Sequence, residues 1–291
     1  MSRPHVVTSA ELQSLRDLEL GTKATVEGLR QGLHRSPFHG YSAEFSQYRH
    51  YRPGDDLKYV DWKAFARTDR LYTRQFRETT NLAALFVIDA SKSMDFDGKF
   101  DLARKVAAIL GTLVLDQGDA AGALAVAERT HYVAPRSGHH HLRVYLSELA
   151  SWQPSGAEPV AEAVRRAASI LKRRGLVIVI SDFYEDEAAI AEVRRLARMG
   201  HDVVVVHTLS PQELTLASGA AVEMLDLESG HRLIVQPSVA RGQYVAAVRD
   251  WLTSIERQLR RDGIEYLRLI TGEPLDASLR RFLVHRRGSA S

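Results

Sequence analysis

The chain contains no cysteine. Disulfides, thiolate nucleophiles and zinc sites built on Cys ligands are therefore excluded, and a reducing compartment is compatible. It also lacks any apolar run long enough to span a bilayer. The longest, LAALFVIDA and LVIVI, are strand-sized. The first twenty residues, MSRPHVVTSAELQSLRDLEL, hold no apolar core of signal-peptide type. The expectation is a soluble, cytoplasmic protein with no transmembrane segment. A dominant charge is missing as well: 39 Lys and Arg stand against 36 Asp and Glu, a net +3. That balance gives no support for nucleic acid or an anionic membrane as partner. Neither GxxxxGK[ST] nor GxGxxG occurs at a strand-to-helix turn, and the GxSxG elbow of serine hydrolases is absent.

What remains is ordinary globular composition, 45% hydrophobic and 26% charged. Residues 1–80 read as an accessory region. It begins with a short amphipathic helix over 9–20 that Ser9 can cap, and continues as a polar, aromatic, turn-rich stretch. Residues 81–285 alternate strands and helices, and 286–291 read as a flexible tail. The runs at 82–89, 176–182 and 201–209 are apolar on both faces. Such strands, separated by helices, predict an α/β fold with a doubly wound, mostly parallel sheet covered by helices. DAAGALAVAE and RTHYVAP predict two strands joined by a tight turn, and AVEMLDLESGHRLIV a hairpin near the sheet edge. Pro159 suits the first turn of a helix, and Gly118, Gly175 and Gly200 suit helix C-termini.

The stretch VIDASKSMDF (87–96) carries Asp89, Ser91 and Ser93 at the carboxyl end of the first of these strands, and Ser181 and Asp182 end another. In open α/β sheets the functional crevice lies beyond the carboxyl ends, where strand order reverses. If the two strands are neighbours, two carboxylates and two hydroxyls converge there. Hard oxygen ligands of this kind suit Mg²⁺ or Mn²⁺. The same serines can instead cap the following helix, with Asp89 at its positive end. A third reading makes Asp89 the nucleophile of a metal-dependent phosphohydrolase. That chemistry wants an acid two residues on, where this chain has Ser91, and a serine nucleophile would want a base that the sequence does not identify. His139, His140 and His141 read as an exposed helix start. His131, His201 and His207 are isolated.

Residues 82 to about 230 resemble a von Willebrand factor A domain, whose metal-ion-dependent adhesion site begins with this Asp-x-Ser-x-Ser loop. The resemblance implies that Ser91 and Ser93 bind the ion, while Asp89 and Asp182 hold its waters. An acidic residue of a partner would complete the coordination, which is binding and not catalysis. The position that the family gives to Thr falls on Glu158, in SGAEPVAEA. Its carboxylate would bind the ion, or take the place of the partner's carboxylate; a metal-free, vestigial site is the remaining alternative.

The accessory stretch YRHYRPGDDLKYVDWKAFART interleaves acids, bases and aromatics, and Pro53-Gly54 suits a type II turn. Basic residues with aromatics suit single-stranded nucleic acid, but Asp55, Asp56 and Asp61 would repel phosphate. A self-satisfied layer of ion pairs and rings packed on the main domain is the expectation. Arg49, Tyr51, Pro53 to Asp56, Asp61, Trp62, Ala66 and Arg67, followed by Asp89 to Met94, are similar to the bacterial family called domain of unknown function fifty-eight. The likeness covers most of the chain. It implies a MoxR-type AAA+ ATPase and other von Willebrand A proteins as partners, and an adaptor role.

Overall fold

The computed structural model describes residues 9–32, 43–53, 55–56, 60–78, 82–127, 129–155, 159–184, 187–215, 222–225, 232–235 and 237–289. They fall into two compact units, residues 39–82 and the rest of the chain. The sequence predicts one accessory region over 1–80, whereas the smaller unit spans 39–82. Helix α1 (Ser9–Gly32), however, runs well past the predicted end at 20 and belongs to the larger unit, not to the accessory region.

In the smaller unit, β1 (Ala43–His50) pairs antiparallel with β2 (Tyr72–Glu78), and α2 (Trp62–Thr68) lies between them in sequence. The motif residues hold this unit together. Asp61 is the N-cap of α2: its Oδ1 accepts from Ala64 N–H at 2.9 Å, and its Oδ2 accepts from Tyr48 Oη at 2.9 Å. The Asp55 N–H donates to the Arg52 carbonyl at 3.0 Å, closing a turn over Pro53. The Asp55 carboxylate accepts from Arg52 N–H, Thr73 Oγ1 and Arg49, whose guanidinium lies at 2.7 Å. The Arg52 N–H contributes most to holding the Asp55 carboxyl below its ordinary range. Lys58, Tyr59 and Gly54 lie outside the described residues.

The larger unit is built on a six-stranded sheet. Its strands are β3 (Ala83–Asp89), β4 (Ala120–Val126), β5 (Thr130–Arg136), β6 (Leu176–Ser181), β7 (Asp202–Leu209) and β10 (Glu265–Ile270). Their order is β10-β7-β6-β3-β4-β5, all parallel except the edge strand β5. This is the predicted doubly wound α/β architecture. Helices α3 (Lys99–Asp116), α4 (His139–Ser151), α1 and α9 (Leu275–Ser289) pack together on one side, and α5 (Val160–Ile170), α6 (Glu187–Arg198) and α8 (Pro237–Arg261) cover the other. Leu85 and Val87 of β3 join the core under α5 and α6. Phe86 points the other way, its ring 6.1 Å from that of Tyr145 on α4. Both faces of the central strands are dry, which is why their sequences are unbroken apolar runs.

Three expectations are corrected, and the predicted hairpin is present. Gly175 does not cap α5, which ends at Ile170. Instead it leads into β6, where an added Cβ would stand 2.5 Å from the Ala83 carbonyl oxygen. The hairpin β8 (Val222–Leu225) and β9 (Arg232–Val235) forms a two-stranded sheet of its own, and its Ser229-Gly230 turn lies outside the described residues. His141 is buried, with its Nε2 2.7 Å from the Ala121 carbonyl, while His139 and His140 are exposed as expected. The chain does not loosen at 286: α9 continues to Ser289, and buried Arg286 pairs with Asp202 and Glu265 at the starts of β7 and β10. Gly118 and Gly200 do follow α3 and α6, both with left-handed φ (+84° and +88°). Among the described residues no helix is long and apolar enough to cross a membrane.

Because the Ala83 carbonyl is backbone and cannot step aside, Gly175→Ala must push β6 away from β3. It is expected to lose about 1–3 kcal/mol in urea unfolding. Gly21→Ala, in open space on α1, is expected to gain up to about 1 kcal/mol in the same measurement.

Candidate functional site

The chain winds outward from β3 to β4 on one side and returns to β6 on the other. The strand order therefore reverses between β3 and β6, the place where ligands bind in sheets of this kind. The parallel pairing runs from Ala84 opposite Leu176 to Ile88 opposite Ile180. It sets Asp89 at the end of one strand beside Ser181 and Asp182 at the end of the other, and the Ser181 hydroxyl donates to Asp89 Oδ2 at 2.6 Å. The condition attached to the convergence of Asp89 and Asp182 is thus met.

The loop after β3 turns tightly. Asp89 Oδ1 accepts from Ser91 N–H at 2.9 Å, and Ser91 begins a 3₁₀ segment, Lys92–Gly98. Ser91 makes no side-chain capping bond there. Its hydroxyl lies 3.0 Å from that of Ser93. The helix-cap reading therefore does not account for the two hydroxyls. Met94 anchors the segment in the core. On the facing side, Ser155 N–H donates to the Ala90 carbonyl at 2.9 Å. Glu158 itself lies outside the described residues.

Lys99, which the sequence pattern did not single out, is the side chain that changes the picture. It is 1% exposed, and its Nζ donates to Asp182 Oδ2 at 2.7 Å and to Glu213 Oε1. Glu213 sits on α7 (Pro211–Leu214), a single turn after β7, and its Oε2 accepts from Ser210 N–H at 2.7 Å. Two signals for this arrangement were present in the sequence. Ser210-Pro-Gln-Glu213 spells a capping box, which the structure forms. A lysine at the first position of a helix opposes the helix dipole, which marks Lys99 as unusual without naming its partners.

Burial disfavours the charge on Lys99, but Asp182 and Glu213 together outweigh it and hold the ammonium above its ordinary pKa. Asp89 has no such partner. Among the described residues its carboxylate is met only by the neutral donors Ser91 and Ser181. Burial first, and Asp182 second, push it from 3.8 up to about 6. His207 on β7 lies beneath the site, with Nε2 2.7 Å from the Asp182 carbonyl and Nδ1 2.8 Å from Tyr266 Oη. Burial lowers it from 6.5 to about 4. Between Asp182 and Tyr184 the backbone passes through left-handed Phe183 (φ +49°), an unfavourable conformation for an aromatic residue. The Phe183 N–H donates to Ser181 Oγ at 2.9 Å and its ring is buried, which fixes the Asp182 peptide.

The donor set fits a small divalent cation. Two cis ligands of an octahedral Mg²⁺ or Mn²⁺ stand about 3 Å apart, and the Ser91 and Ser93 hydroxyl oxygens are 3.0 Å apart. The Lys99 ammonium meets Asp182 and Glu213, while Asp89 lies beside Asp182 with no cation of its own among the described residues. Fully ionised, the described cluster is two positive charges short of neutrality. No cluster of three or more His, Cys, Asp or Glu side chains of metal-binding geometry occurs among the described residues, so the serines are indispensable to such a site.

The two titrations run in opposite directions. Folded Asp89 binds its proton more tightly than the unfolded chain does, so its ionisation costs stability as pH rises from about 4 to about 6. The difference is worth about 3 kcal/mol above that window. Folded His207 refuses a proton that the unfolded chain accepts, so it costs a similar amount, about 3 kcal/mol, as pH falls from 6.5 to about 4. In urea unfolding with EDTA, Asp89→Asn is expected to gain on wild type as pH rises through 4–6. His207→Gln is expected to gain on wild type as pH falls through 6.5–4. Variant-minus-wild-type differences that do not change with pH would contradict both assignments.

Comparison with known proteins adds relatives and a family. The chain is 30% identical over 287 residues to uncharacterized protein Rv1480 of Mycobacterium tuberculosis, covering 95% of this chain and 90% of that one. It is 25% identical over 193 residues to uncharacterized protein YeaD of Bacillus subtilis, covering 65% of this chain and 46% of that one. Among solved structures it is similar to conserved hypothetical protein BatB from Bacteroides thetaiotaomicron, with 17% identity and a TM-score of 0.45, over 72% of this chain and 99% of that one. Residues 47–253 match the family described as protein of unknown function DUF58, and with that span and the near full-length mycobacterial relative the chain belongs to this family.

Proposed function

We propose that this protein is a non-catalytic interaction module of von Willebrand A type that binds a divalent cation, Mg²⁺ or Mn²⁺, at the β3–β6 crevice. Ser91 and Ser93 would hold the ion, and Asp89 and Asp182 would orient its waters, with Glu158 as a further ligand from the adjoining loop. A carboxylate on a partner protein would complete the coordination. The observation that carries this reading is the uncompensated charge. Among the described residues, Asp89 is a buried carboxylate served only by neutral donors, beside two hydroxyls at cis-ligand spacing. A bound cation removes the cost of keeping it ionised.

The partner in this proposal is a MoxR-type AAA+ ATPase, as the family resemblance implies, with other von Willebrand A proteins in the same assembly. The chain's own residues position and recognise; none is assigned a bond-making role. A phosphohydrolase using Asp89 is disfavoured by the raised pKa, which weakens a carboxylate nucleophile below pH 6, and by Ser91 in the place of a general acid.

Titration calorimetry is expected to show Mn²⁺ uptake by wild type that Ser93→Ala loses by at least about tenfold, 1.4 kcal/mol. Glu158→Thr is expected to retain it. Complex with a MoxR-type AAA+ ATPase from the same organism is expected in Mg²⁺ and to be lost in EDTA and in Ser91→Ala. Equal recovery in EDTA would sink the metal bridge.

A further inference from the structure

Lys99 is buried outright, and the reading above gives it no task. Its position is costly twice over: α3 begins there, so the helix's positive end faces the ammonium, and the side chain has left water. Two carboxylates offset this, and they differ. Asp182 belongs to the metal-facing crevice, directly after β6. Glu213 belongs to α7, where Ser210 N–H fixes its second oxygen and Tyr244 Oη on α8 donates to its carbonyl at 2.8 Å. The ammonium thus has two seats, one shared with the proposed ion and one outside it.

We infer that Lys99 is a built-in competitor for the divalent cation. Its Nζ holds Asp182 Oδ2 at 2.7 Å, and Asp182 is the carboxylate that the proposal assigns to the ion's waters. Glu213 provides the alternative seat onto which the ammonium withdraws when the ion binds. Lys99 and Glu213 together then set the affinity of the site. With both in place the ion binds reversibly, against a positive charge that moves only part of the way off. This inference rests on the metal reading of the crevice, and it makes Lys99 a positioning residue, not a ligand.

The test is Mn²⁺ titration calorimetry on the full chain in four forms: wild type, Lys99→Met, Glu213→Gln and Lys105→Met. Lys105 is an exposed lysine on the same helix and controls for net charge alone. Lys99→Met is expected to bind Mn²⁺ at least about tenfold more tightly than wild type, and Lys105→Met within about twofold of it. Glu213→Gln confines the ammonium to Asp182 and is expected to weaken binding at least about threefold. Circular dichroism establishes which variants fold. If Lys99→Met does not, Glu213→Gln decides: weakened binding upholds the competition, and unchanged or tighter binding overturns it. Binding by Lys99→Met but not by wild type also supports it. Equal or weaker binding by folded Lys99→Met, with wild type binding, overturns the competition and leaves the metal site standing. No uptake by any form overturns both.

Discussion

The parallel pairing of β3 with β6 forces Asp89 and Asp182 into one dry corner, and most of what is distinctive about the molecule follows from managing that. Each strand is covered on both faces, so neither carboxylate can turn to water. One solution is electrostatic: Lys99 comes up from α3 to meet Asp182. Another is dipolar, with the Ser181 hydroxyl and the Ser91 N–H turned on Asp89. Only the first supplies charge. The corner is therefore satisfied in hydrogen bonds, with Asp89 left to neutral donors among the described residues, and it is on this imbalance that the proposed cation site rests.

The architecture was legible because both-face burial leaves a direct mark on sequence: unbroken apolar runs for β3, β6 and β7, each followed by polar residues at the carboxyl end. Asp89, Ser91, Ser93 and Asp182 could be picked out for the same reason, since each interrupts or ends such a run. Lys99 and Glu213 could not be placed. A lysine in an amphipathic helix ordinarily lies in solvent, and its two partners are 83 and 114 residues away. Only the sheet order brings these three together. Gly175 was misassigned for a related reason: its constraint comes from the Ala83 carbonyl on a neighbouring strand, not from the helix before it. Helix α1 shows local periodicity but nothing local that says which unit it joins.

The smaller unit separates two meanings of one motif. Asp55 and Asp61 face inward, one fastening a turn and the other capping α2. The acids that argued against a charged partner are thus largely occupied within the unit. Trp62, beside Asp61 in the sequence, is 56% exposed. The Asp-Trp pair is accordingly half scaffold and half surface, a division that spacing alone does not reveal.

The sheet carries a second cation between two carboxylates. At the amino ends of the strands Arg286 ties Asp202 to Glu265, joining the first residues of β7 and β10. A guanidinium is planar, forked and permanently charged, so it grips both oxygens without exchanging between them. An ammonium on a flexible stem is a point charge that can trade partners. The two ends of the sheet thus differ in kind: α9 fastens one like a rivet, and α3 latches the other with a part that can slide. The withdrawal proposed for Lys99 would then have a fixed base to move against.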